Sequence, residues 1–391
     1  MFFYLLKRIL YHSYLFFLHF VLLFFQDKTY KQQNLGLLLF ANSVVPALLP
    51  FFIATEALSH TNIILKIGEL FNRYMCPIFN VPGIGAYALV MGIISGYPVG
   101  AKIVTNFRNN GLCTKAEAER LLAFTNNSGP LFIIGTVGIA MFGNTEIGIL
   151  LFITHLISSL LVGFLFRFWK YNDKEKTHVS KNATSSNTTI SFSNLGEVLS
   201  DSILNAVHTI VIIGGFVVLF SVIISILNNC GFFNAITMIL TPFFKSINIS
   251  ADFISPIISG IIELTNGLSS VCSISSKAIS VNIIISAFLL GFGGFSVLLQ
   301  VLSITSKSDI SIKAYFIGKL LQGAIACILT YIVIHIFPIF NLDIVPIFSQ
   351  NVDKLNTNLA YFNFYSISIL AIFIVFTLFL CFKRKIKIAN R

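Results

Sequence analysis

Long apolar runs dominate this chain and decide what it can fold into. A spanning helix needs about 20 apolar residues to cross a hydrocarbon core roughly 30 Å thick. Hydrophobic residues make up 56% of the chain and charged residues only 10%, whereas a soluble domain carries roughly a quarter charged residues. The sequence therefore predicts an all-α polytopic membrane protein. Candidate spanning runs lie near residues 2–25, 36–59, 116–142, 146–169, 204–228, 277–305, 312–337 and 366–382.

A polar stretch in the middle of the chain, WKYNDKEKTHVSKNATSSNTTISF, indicates a linker that divides it in two. The first run contains Lys7 and Arg8 and is followed by no small-residue cleavage site, so we interpret it as a retained anchor helix. The expected organisation is an anchor helix and loop (1–35), a first repeat (36–169), a cytoplasmic linker (170–195), a second repeat (196–337), and a loop, C-terminal helix and basic tail (338–391).

The two halves share short motifs at a nearly constant spacing. IISG at Ile93–Gly96 recurs at Ile257–Gly260, and at the same offset Gly129 in NNSGP corresponds to Gly293 in GFGG. Such short matches can also arise by chance in a chain rich in Gly and Ile. Because they fall on the least helix-like points of both halves, we infer an internal duplication, which is a common plan for transporters.

Each half also contains a segment with a polar turn at its centre, GAYALVMGIISGYPVGAKIVTNF and ISPIISGIIELTNGLSSVCSI. Each arm has about 10–12 residues, or about 15–18 Å of helix, which is too short to cross. Re-entrant hairpins would leave three crossings in each half and make the repeats inverted, whereas full crossings would make them parallel. Inversion with both termini cytoplasmic places all but five of the 26 Lys and Arg residues inside, as the positive-inside rule prefers. The exceptions would be Lys28, Lys31, Lys245, Lys277 and Lys354.

The stretch FTNNSGPLF places polar and helix-breaking residues inside an apolar run. Gly129 and Pro130 weaken the helix there, so carbonyl and amide groups become available beside Asn126, Asn127 and Ser128. Such a break can hold a polar solute or an ion within the membrane. The alternative is a proline kink whose polar side chains bridge neighbouring helices. The binding interpretation is favoured because GFGGFS, at residues 291–296, interrupts the corresponding run of the second half.

Glu263 is the most informative charged residue, since it stands in the turn ELTNG at bilayer depth beside Thr265 and Asn266. A charge there costs about 2.5–3.5 kcal/mol on lenient insertion scales and usually has a function. The alternative is a structural pair with Lys102. Glu56 is interpreted as an interfacial or structural carboxylate. The membrane segments also contain His155, His208 and Lys319, and lone histidines there are more often packing residues than ligands.

The chain carries no motif of a membrane enzyme. It has no HExxH, GxSxG or GxxxxGK sequence, and its six cysteines include no CxxC pair. These patterns predict neither an enzyme nor a metal site. The net charge of +11 is explained by basic residues at segment ends, so no nucleic acid partner is expected.

Four motifs, ISGYPVGAK, LCTKAEAERLLAFTNNSGPLFIIGTVG, ELTNG and GFGGFSVLLQV, closely resemble the YlbJ family of sporulation integral membrane proteins. The resemblance runs from about Asn42 to His335. That family belongs with the Gate-domain proteins, which are similar to the core of concentrative nucleoside transporters and to spore maturation proteins. The resemblance implies an endospore-forming bacterium and a role in spore cortex formation. It also implies a transporter-like core in which two re-entrant hairpins and two broken helices enclose the substrate and a coupling cation.

We therefore expect a secondary transporter of a small polar solute in the bacterial cell membrane, with a non-transporting scaffold or regulator of cortex assembly as the alternative. The expected partners are the lipid bilayer and an unknown polar solute, and a homo-oligomer is left open. No bound cofactor is expected, and the coupling ion would be Na⁺ or H⁺. The candidate binding residues are Ser95, Tyr97, Asn126, Asn127, Ser128, Gly129, Glu263, Thr265, Asn266, Gly293 and Ser296.

Overall fold

A computed structural model describes residues 45–59, 63–171, 195–246, 249–274 and 279–336, together with residues 37, 40, 41 and 61. Within these ranges the secondary structure is helical and contains no strand, which confirms the predicted all-α class. The expected anchor helix (2–25), the last apolar run (366–382), the basic tail and most of the linker (170–195) lie outside the described residues.

The first half consists of two helices, a hairpin of two short helices, an interrupted helix and a final long helix. Its elements are α1 (Val45–Ser59), α2 (Ile63–Phe79), α3 (Gly85–Ser95), α4 (Val99–Asn109), α5 (Lys115–Thr125), the π-helix π1 (Leu131–Met141) and α6 (Thr145–Phe166).

The second half repeats this order of elements. It comprises α7 (Leu195–Asn229), α8 (Phe232–Ser246), α9 (Ile254–Ile262), α10 (Leu264–Cys272), α11 (Ile279–Phe292), α12 (Gly294–Thr305) and α13 (Ile312–Ile336). In both halves a hairpin of two short helices precedes an interrupted helix, as the duplication predicts.

Among the described residues, four helical stretches are long and apolar enough to cross a bilayer. They are Thr145–Phe166, Leu195–Asn229, Ile279–Thr305 and Ile312–Ile336. They coincide with four of the predicted runs, and they make the chain a multi-pass membrane protein. Two further predicted runs are also helical but differ in form. The described part of 36–59 is the 15-residue α1, and the run 116–142 is divided into α5 and π1.

The interrupted helices and the last helix of each half pack together, and glycines let their backbones approach. A Cβ added to Gly291 of α11 would lie 2.6 Å from the Cα of Gly323 of α13. A Cβ on Gly318 would lie 2.9 Å from the carbonyl oxygen of Ala123, so α13 also touches α5 closely. Small residues at such contacts are typical of membrane helices, which have little hydrophobic driving force to associate in lipid. Helix α13 thereby joins the two halves.

Two adjacent buried charged residues in the second turn of α5 connect segments from the two ends of the first half. Helix α5 begins at the N-cap Thr114, which forms a capping box with Glu117. The guanidinium of Arg120 donates hydrogen bonds to the carbonyl oxygens of Asn80, Trp169 and Lys170, at 2.8, 2.8 and 3.1 Å. These contacts join the chain before the first hairpin to the chain just after α6.

Glu119, next to Arg120, extends this connection. Its carboxylate accepts hydrogen bonds from the indole Nε1 of Trp169 at 2.8 Å and from Lys170 Nζ at 3.1 Å. It also accepts one from the backbone N–H of Ser311, at 3.3 Å, just before α13. Glu119 therefore links the end of the first half to the start of the last described helix of the second.

Candidate functional site

Four interruptions of helical structure meet around one cavity. They are the turn Gly96–Pro98 between α3 and α4, the break 126–129 between α5 and π1, the turn at Glu263 between α9 and α10, and the break at Gly293 between α11 and α12. The cavity has a volume of about 140 Å³. The polar residues that line it are Tyr97, Ser128, Thr136, Glu263, Thr265, Ser296 and Gln300, and its apolar lining includes Leu48, Phe132, Met141, Ile213, Val217, Leu264 and Val297.

The first hairpin packs its backbone directly against the break in the first half. Gly96 has a positive φ of 81°, and a Cβ there would lie 3.0 Å from the backbone nitrogen of Gly129. Cβ atoms on Gly92 or Gly100 would overlap with the carbonyl group of Thr125. Only glycine permits this approach, because any larger side chain would separate the hairpin from the break. Two of the four interruptions are thus in backbone contact.

Asn126 connects the first hairpin to α13. Its Oδ1 accepts a hydrogen bond from the backbone N–H of Ala101 at 3.3 Å, and its Nδ2 donates one to the hydroxyl of Tyr315 at 3.0 Å. The residue is fully buried and does not belong to the lining of the cavity. Its amide therefore bridges protein groups behind the cavity.

Asn127 is also held by protein groups. Its Nδ2 donates to the carbonyl oxygen of Phe124 at 2.7 Å. Its Oδ1 accepts from Lys319 Nζ at 3.2 Å and from Gln322 Nε2 at 2.9 Å. Like Asn126, it lies outside the lining of the cavity.

Ser128 and Gly129 are the residues of the first break that reach the cavity. The backbone N–H of Ser128 donates to Nε2 of His155 on α6 at 3.3 Å. Its hydroxyl Oγ is buried and lies beside the side chain of Tyr97. A buried hydroxyl on a cavity wall is a group to which a solute or a water molecule can hydrogen-bond.

Tyr97, at the turn of the first hairpin, reaches across to the break in the second half. Its hydroxyl donates to the carbonyl oxygen of Leu290 at 3.3 Å. Gly293 follows in a left-handed conformation (φ 82°), and a Cβ there would lie 3.0 Å from the Tyr97 hydroxyl. Gly293 therefore makes room for the tyrosine, and Ser296, two residues into α12, faces the cavity.

Glu263 is the whole turn of the second hairpin and the N-cap of α10. Its Oε1 accepts from the backbone N–H of Thr265 at 3.1 Å, and its Oε2 accepts from that of Asn266 at 2.8 Å. A carboxylate at a helix N-terminus satisfies free N–H groups and is stabilised by the helix dipole. The residue is only 3% exposed, yet it lines the cavity. Glu263 thus presents its carboxyl group to a cavity whose lining contains no lysine or arginine.

The candidate residues therefore divide into two groups. Six of them line the cavity, and these are Tyr97, Ser128, Gly129, Glu263, Thr265 and Ser296. The other five make contacts behind it, and these are Ser95, Asn126, Asn127, Asn266 and Gly293. Ser95 shares a hydrogen bond with Thr55 at 2.7 Å, and Asn266 Nδ2 donates to Ser221 Oγ at 3.3 Å.

Sequence reasoning missed the polar face of α13. Tyr315, Lys319 and Gln322 contact the NNSGP break from this helix, although only Lys319 had been noted and no role was assigned to it. Their spacing could have indicated a shared polar face, since residues separated by four and three positions lie on one side of a helix. A polar stripe with a lysine inside an apolar 25-residue helix is expected to face protein and not lipid.

A second, polar cavity of about 390 Å³ adjoins the first, and Ile213 and Gln300 line both. Its wall includes Lys102, His208 and Lys307. It therefore has a basic character that the first cavity lacks, and it gives the first cavity a polar neighbour along α12.

The fold and the site together define a multi-pass α-helical membrane protein with a cavity, largely apolar but carrying several polar groups, that is lined in part by two helical hairpins and two interrupted helices. The chain belongs to the family of the sporulation integral membrane protein YlbJ. It is 35% identical to that protein of Bacillus subtilis (strain 168) over 313 residues, which cover 77% of this chain and 76% of the relative. The family resemblance of the sequence motifs is thereby confirmed.

Two other comparisons add less. No protein-family model matches the sequence. Among solved structures, CNTnw in an inward-facing substrate-bound state aligns with 73% of this chain and 75% of its own, at 12% identity and a TM-score of 0.43.

Proposed function

We propose that the chain is a membrane protein of sporulation that is needed for spore cortex formation and acts as a secondary transporter of a small polar solute. The observation that carries this proposal is the convergence of four helix interruptions on one cavity. Backbone without helical hydrogen bonds costs several kcal/mol per unsatisfied group in a membrane, unless protein, water or a ligand meets it. A transported solute would account for placing all four interruptions together.

The lining of the cavity indicates the kind of solute. The carboxylate of Glu263 and the hydroxyls of Ser128, Thr265 and Ser296 supply polar partners, and the amide of Gln300 adds a donor and an acceptor. The remaining wall is apolar. Because the carboxylate has no basic residue beside it in the lining, the cavity favours a neutral or cationic solute with an apolar portion over an anion.

We further propose that both hairpins are re-entrant and that the two halves are inverted. The arms α3 and α4 have 11 residues each, and α9 and α10 have 9 each. At 1.5 Å per residue these arms are about 14–17 Å long, about half of a hydrocarbon core roughly 30 Å thick. Each half then crosses three times, and both termini lie in the cytoplasm, as the distribution of Lys and Arg favours.

The second cavity is the route by which we expect the solute to reach the site. Its lining includes Lys102 of α4 and Lys307, which follows α12, and Arg108 near the end of α4 pairs with Asp309, two residues after Lys307. By the positive-inside rule this end faces the cytoplasm. The cavity therefore opens inward in this arrangement, and transport requires a second arrangement that opens outward.

A thermal-shift screen tests the proposal. The purified protein is heated with nucleosides, muropeptide precursors or simple amines, and a bound solute is expected to raise its melting temperature (Tm) through stabilisation of the folded state. Ser296→Leu should abolish that rise, because the side chain fills the cavity. Leu299→Phe is the matched control, since Leu299 lies on the same helix and is exposed on its outer face.

Non-transporting support of cortex assembly is the second candidate, and the full pairing of Asn126 and Asn127 within the protein favours it. The two candidates separate in an endospore-forming strain whose own relative is deleted. If the protein is a transporter, Ser296→Leu protein that is folded and inserted should fail to restore heat-resistant spores. Full restoration, together with no thermal shift for any solute, would indicate the scaffold.

A further inference from the structure

Lys319 lies almost completely buried (1% exposed) in α13, a helix long enough to span the membrane. Its Nζ is 2.7 Å from Oε1 of Gln322 and 3.2 Å from Oδ1 of Asn127. The same atom lies 5.2 Å from the ring centre of Tyr97 and 5.8 Å from that of Tyr315. A cation within about 6 Å of an aromatic face is attracted by it. The surroundings of Nζ are thus those of a bound cation.

The oxygen assignment around Nζ follows from the rest of the network. Asn127 must point its Nδ2 at the carbonyl oxygen of Phe124, which turns its Oδ1 toward Lys319 and Gln322. Gln322 Nε2 donates to that same Oδ1 at 2.9 Å, which leaves Oε1 for the ammonium. Flipping either amide would bring two donors together. Nζ therefore faces two amide oxygens.

No carboxylate in the described part of the chain lies within ion-pair distance of Lys319. The nearby titratable groups are the two tyrosines and His155, whose Nε2 accepts a hydrogen bond from Ser128 and is therefore unprotonated. Burial of an ion is costly unless its partners compensate it. Here the compensation comes from amide oxygens and ring faces, the neutral ligands that a monovalent cation also uses.

We propose that the ε-ammonium of Lys319 is a built-in cation, which permanently occupies a monovalent-cation site formed by Asn127, Gln322 and the rings of Tyr97 and Tyr315. The ammonium holds the first break against α13 as a bound ion would. This inference rests on the proposed transport function. It implies that transport does not use Na⁺ at the first break. A tethered amino group cannot leave, so no Na⁺ gradient acts at this point.

The experiment removes the tethered charge and offers a free one. Lys319→Ala leaves both oxygens and an empty volume, so its Tm should fall in choline chloride and rise again in NaCl, KCl or methylammonium chloride of equal ionic strength. A rise of about 3 °C or more is measurable and corresponds to substantial binding to the folded state. The double variant Asn127→Ala with Lys319→Ala should lose this recovery because one oxygen ligand is gone.

Lys319→Met is the matched control, because an uncharged side chain of similar length fills the site and should prevent recovery by cations. Lys319→Ser provides a second background in case the alanine protein does not accumulate. The wild-type Tm should be the same in NaCl and choline chloride.

Two results would overturn the inference. One is a saturable stabilisation of the wild type by Na⁺ that Asn127→Ala abolishes, and the other is a Lys319→Ala protein whose Tm does not change with any small cation. Neither result depends on a transported solute, so each is informative whether or not the solute screen identifies a ligand.

Discussion

Lys102 Nζ lies 2.8 Å from Oε2 of Glu56, so an ion pair joins α4 of the first hairpin to α1. The sequence had left open a pair between Lys102 and Glu263. The structure gives Lys102 a different partner and gives Glu263 the N-terminus of α10. The carboxyl group of Glu263 therefore accepts hydrogen bonds from backbone N–H groups and does not pair with Lys102.

The Lys102–Glu56 pair is expected to contribute to stability, because both side chains are mostly buried, at 28% and 17% exposure. Lys102→Ala and Glu56→Ala should each lower Tm, and the double variant should lose less than the sum. We expect a coupling free energy of about 0.5–3 kcal/mol. Thermal unfolding in detergent measures it, with the exposed Lys66→Ala as a control for loss of charge. Strict additivity would show that the pair contributes nothing.

Glu263→Gln tests whether the carboxylate has a role beyond capping. One acceptor oxygen remains for the cap, so the loss of stability should stay near the cost of a weakened N-cap, about 1 kcal/mol. Heat-resistant spores should nevertheless be lost, because the cavity loses its only carboxyl group among the lining residues. Asn144→Ala, which removes the cap of α6, is a control with a similar cost and no contact with the cavity. Equal spore yields from the two variants would leave Glu263 as a cap alone.

Gly92→Ala should destabilise the first hairpin strongly, because its Cβ would overlap with the carbonyl oxygen of Thr125. We expect a cost of several kcal/mol, in the upper range of single substitutions. Gly215→Ala on α7 is the matched control, since no atom lies within 4 Å of its Cβ position. That change should be neutral or should stabilise by up to about 1 kcal/mol through helix propensity. Comparable Tm values for the two proteins would contradict the close backbone contact.

The Arg108–Asp309 pair predicts a pH-dependent contribution to stability outside the spanning segments. Arg108 Nε and Nη2 donate to the two carboxylate oxygens at 2.9 and 2.8 Å. These bonds lower the pKa of Asp309, so the stabilisation is present above the pKa of an unfolded aspartate and is lost as pH falls through the lower, folded value.

Because Asp309 is exposed, the contribution should not exceed about 1 kcal/mol. Wild type and Asp309→Asn should differ in Tm at pH 7, and the difference should shrink as the pH falls below the usual aspartate pKa of about 3.9 toward the lower, folded value. The exposed Asp201→Asn serves as a control for loss of a negative charge. A difference that persists unchanged at low pH would mean that the carboxylate charge is not its source.

Membrane labelling tests the inverted arrangement. Single cysteines are introduced at Lys66 in α2 and at Asn109 at the end of α4, both exposed, in a background without the native cysteines. A re-entrant hairpin predicts that an impermeant maleimide reaches both from the cytoplasmic face. Reaction of the two from opposite faces would mean that the hairpin crosses and the halves are parallel.

Much of the architecture could be predicted because membrane helices are recognisable by the length and composition of their apolar runs. The breaks at Gly129–Pro130 and Gly293 were also predictable, since glycine and proline weaken a helix wherever it lies. Turn positions were less accurate. The sequence predicts that the second hairpin turns over ELTNG, whereas Leu264 is already helical and Glu263 alone forms the turn. An N-cap carboxylate can start a helix within one residue, and the composition of the turn does not reveal this.

The two IISG motifs do not occupy equivalent positions in the two hairpins. Of the two IISG motifs, the first ends at its turn, but in the second Gly260 lies within α9. The glycines that play the same part are Gly92 with Gly100 and Gly260 with Gly267, which bring together the arms of each hairpin. The polar partners of Asn126 and Asn127 could not be predicted because they lie about 190 residues away on α13. Only the folded arrangement distinguishes an amide that faces a cavity from one that faces a lysine.

The position of these partners has a consequence for the order of events during synthesis. Arg120 binds carbonyl groups that all lie before residue 172, so this closure of the first half needs nothing made later. Asn126 and Asn127, only a few residues further on, depend on Tyr315 and Lys319. While the ribosome makes the second half, the first half is already in the bilayer with two amides that lack their final partners. Helix α13, the last described helix, thus completes the site. A chain stopped before α13 would have exposed polar groups within the membrane, which quality-control proteases can recognise.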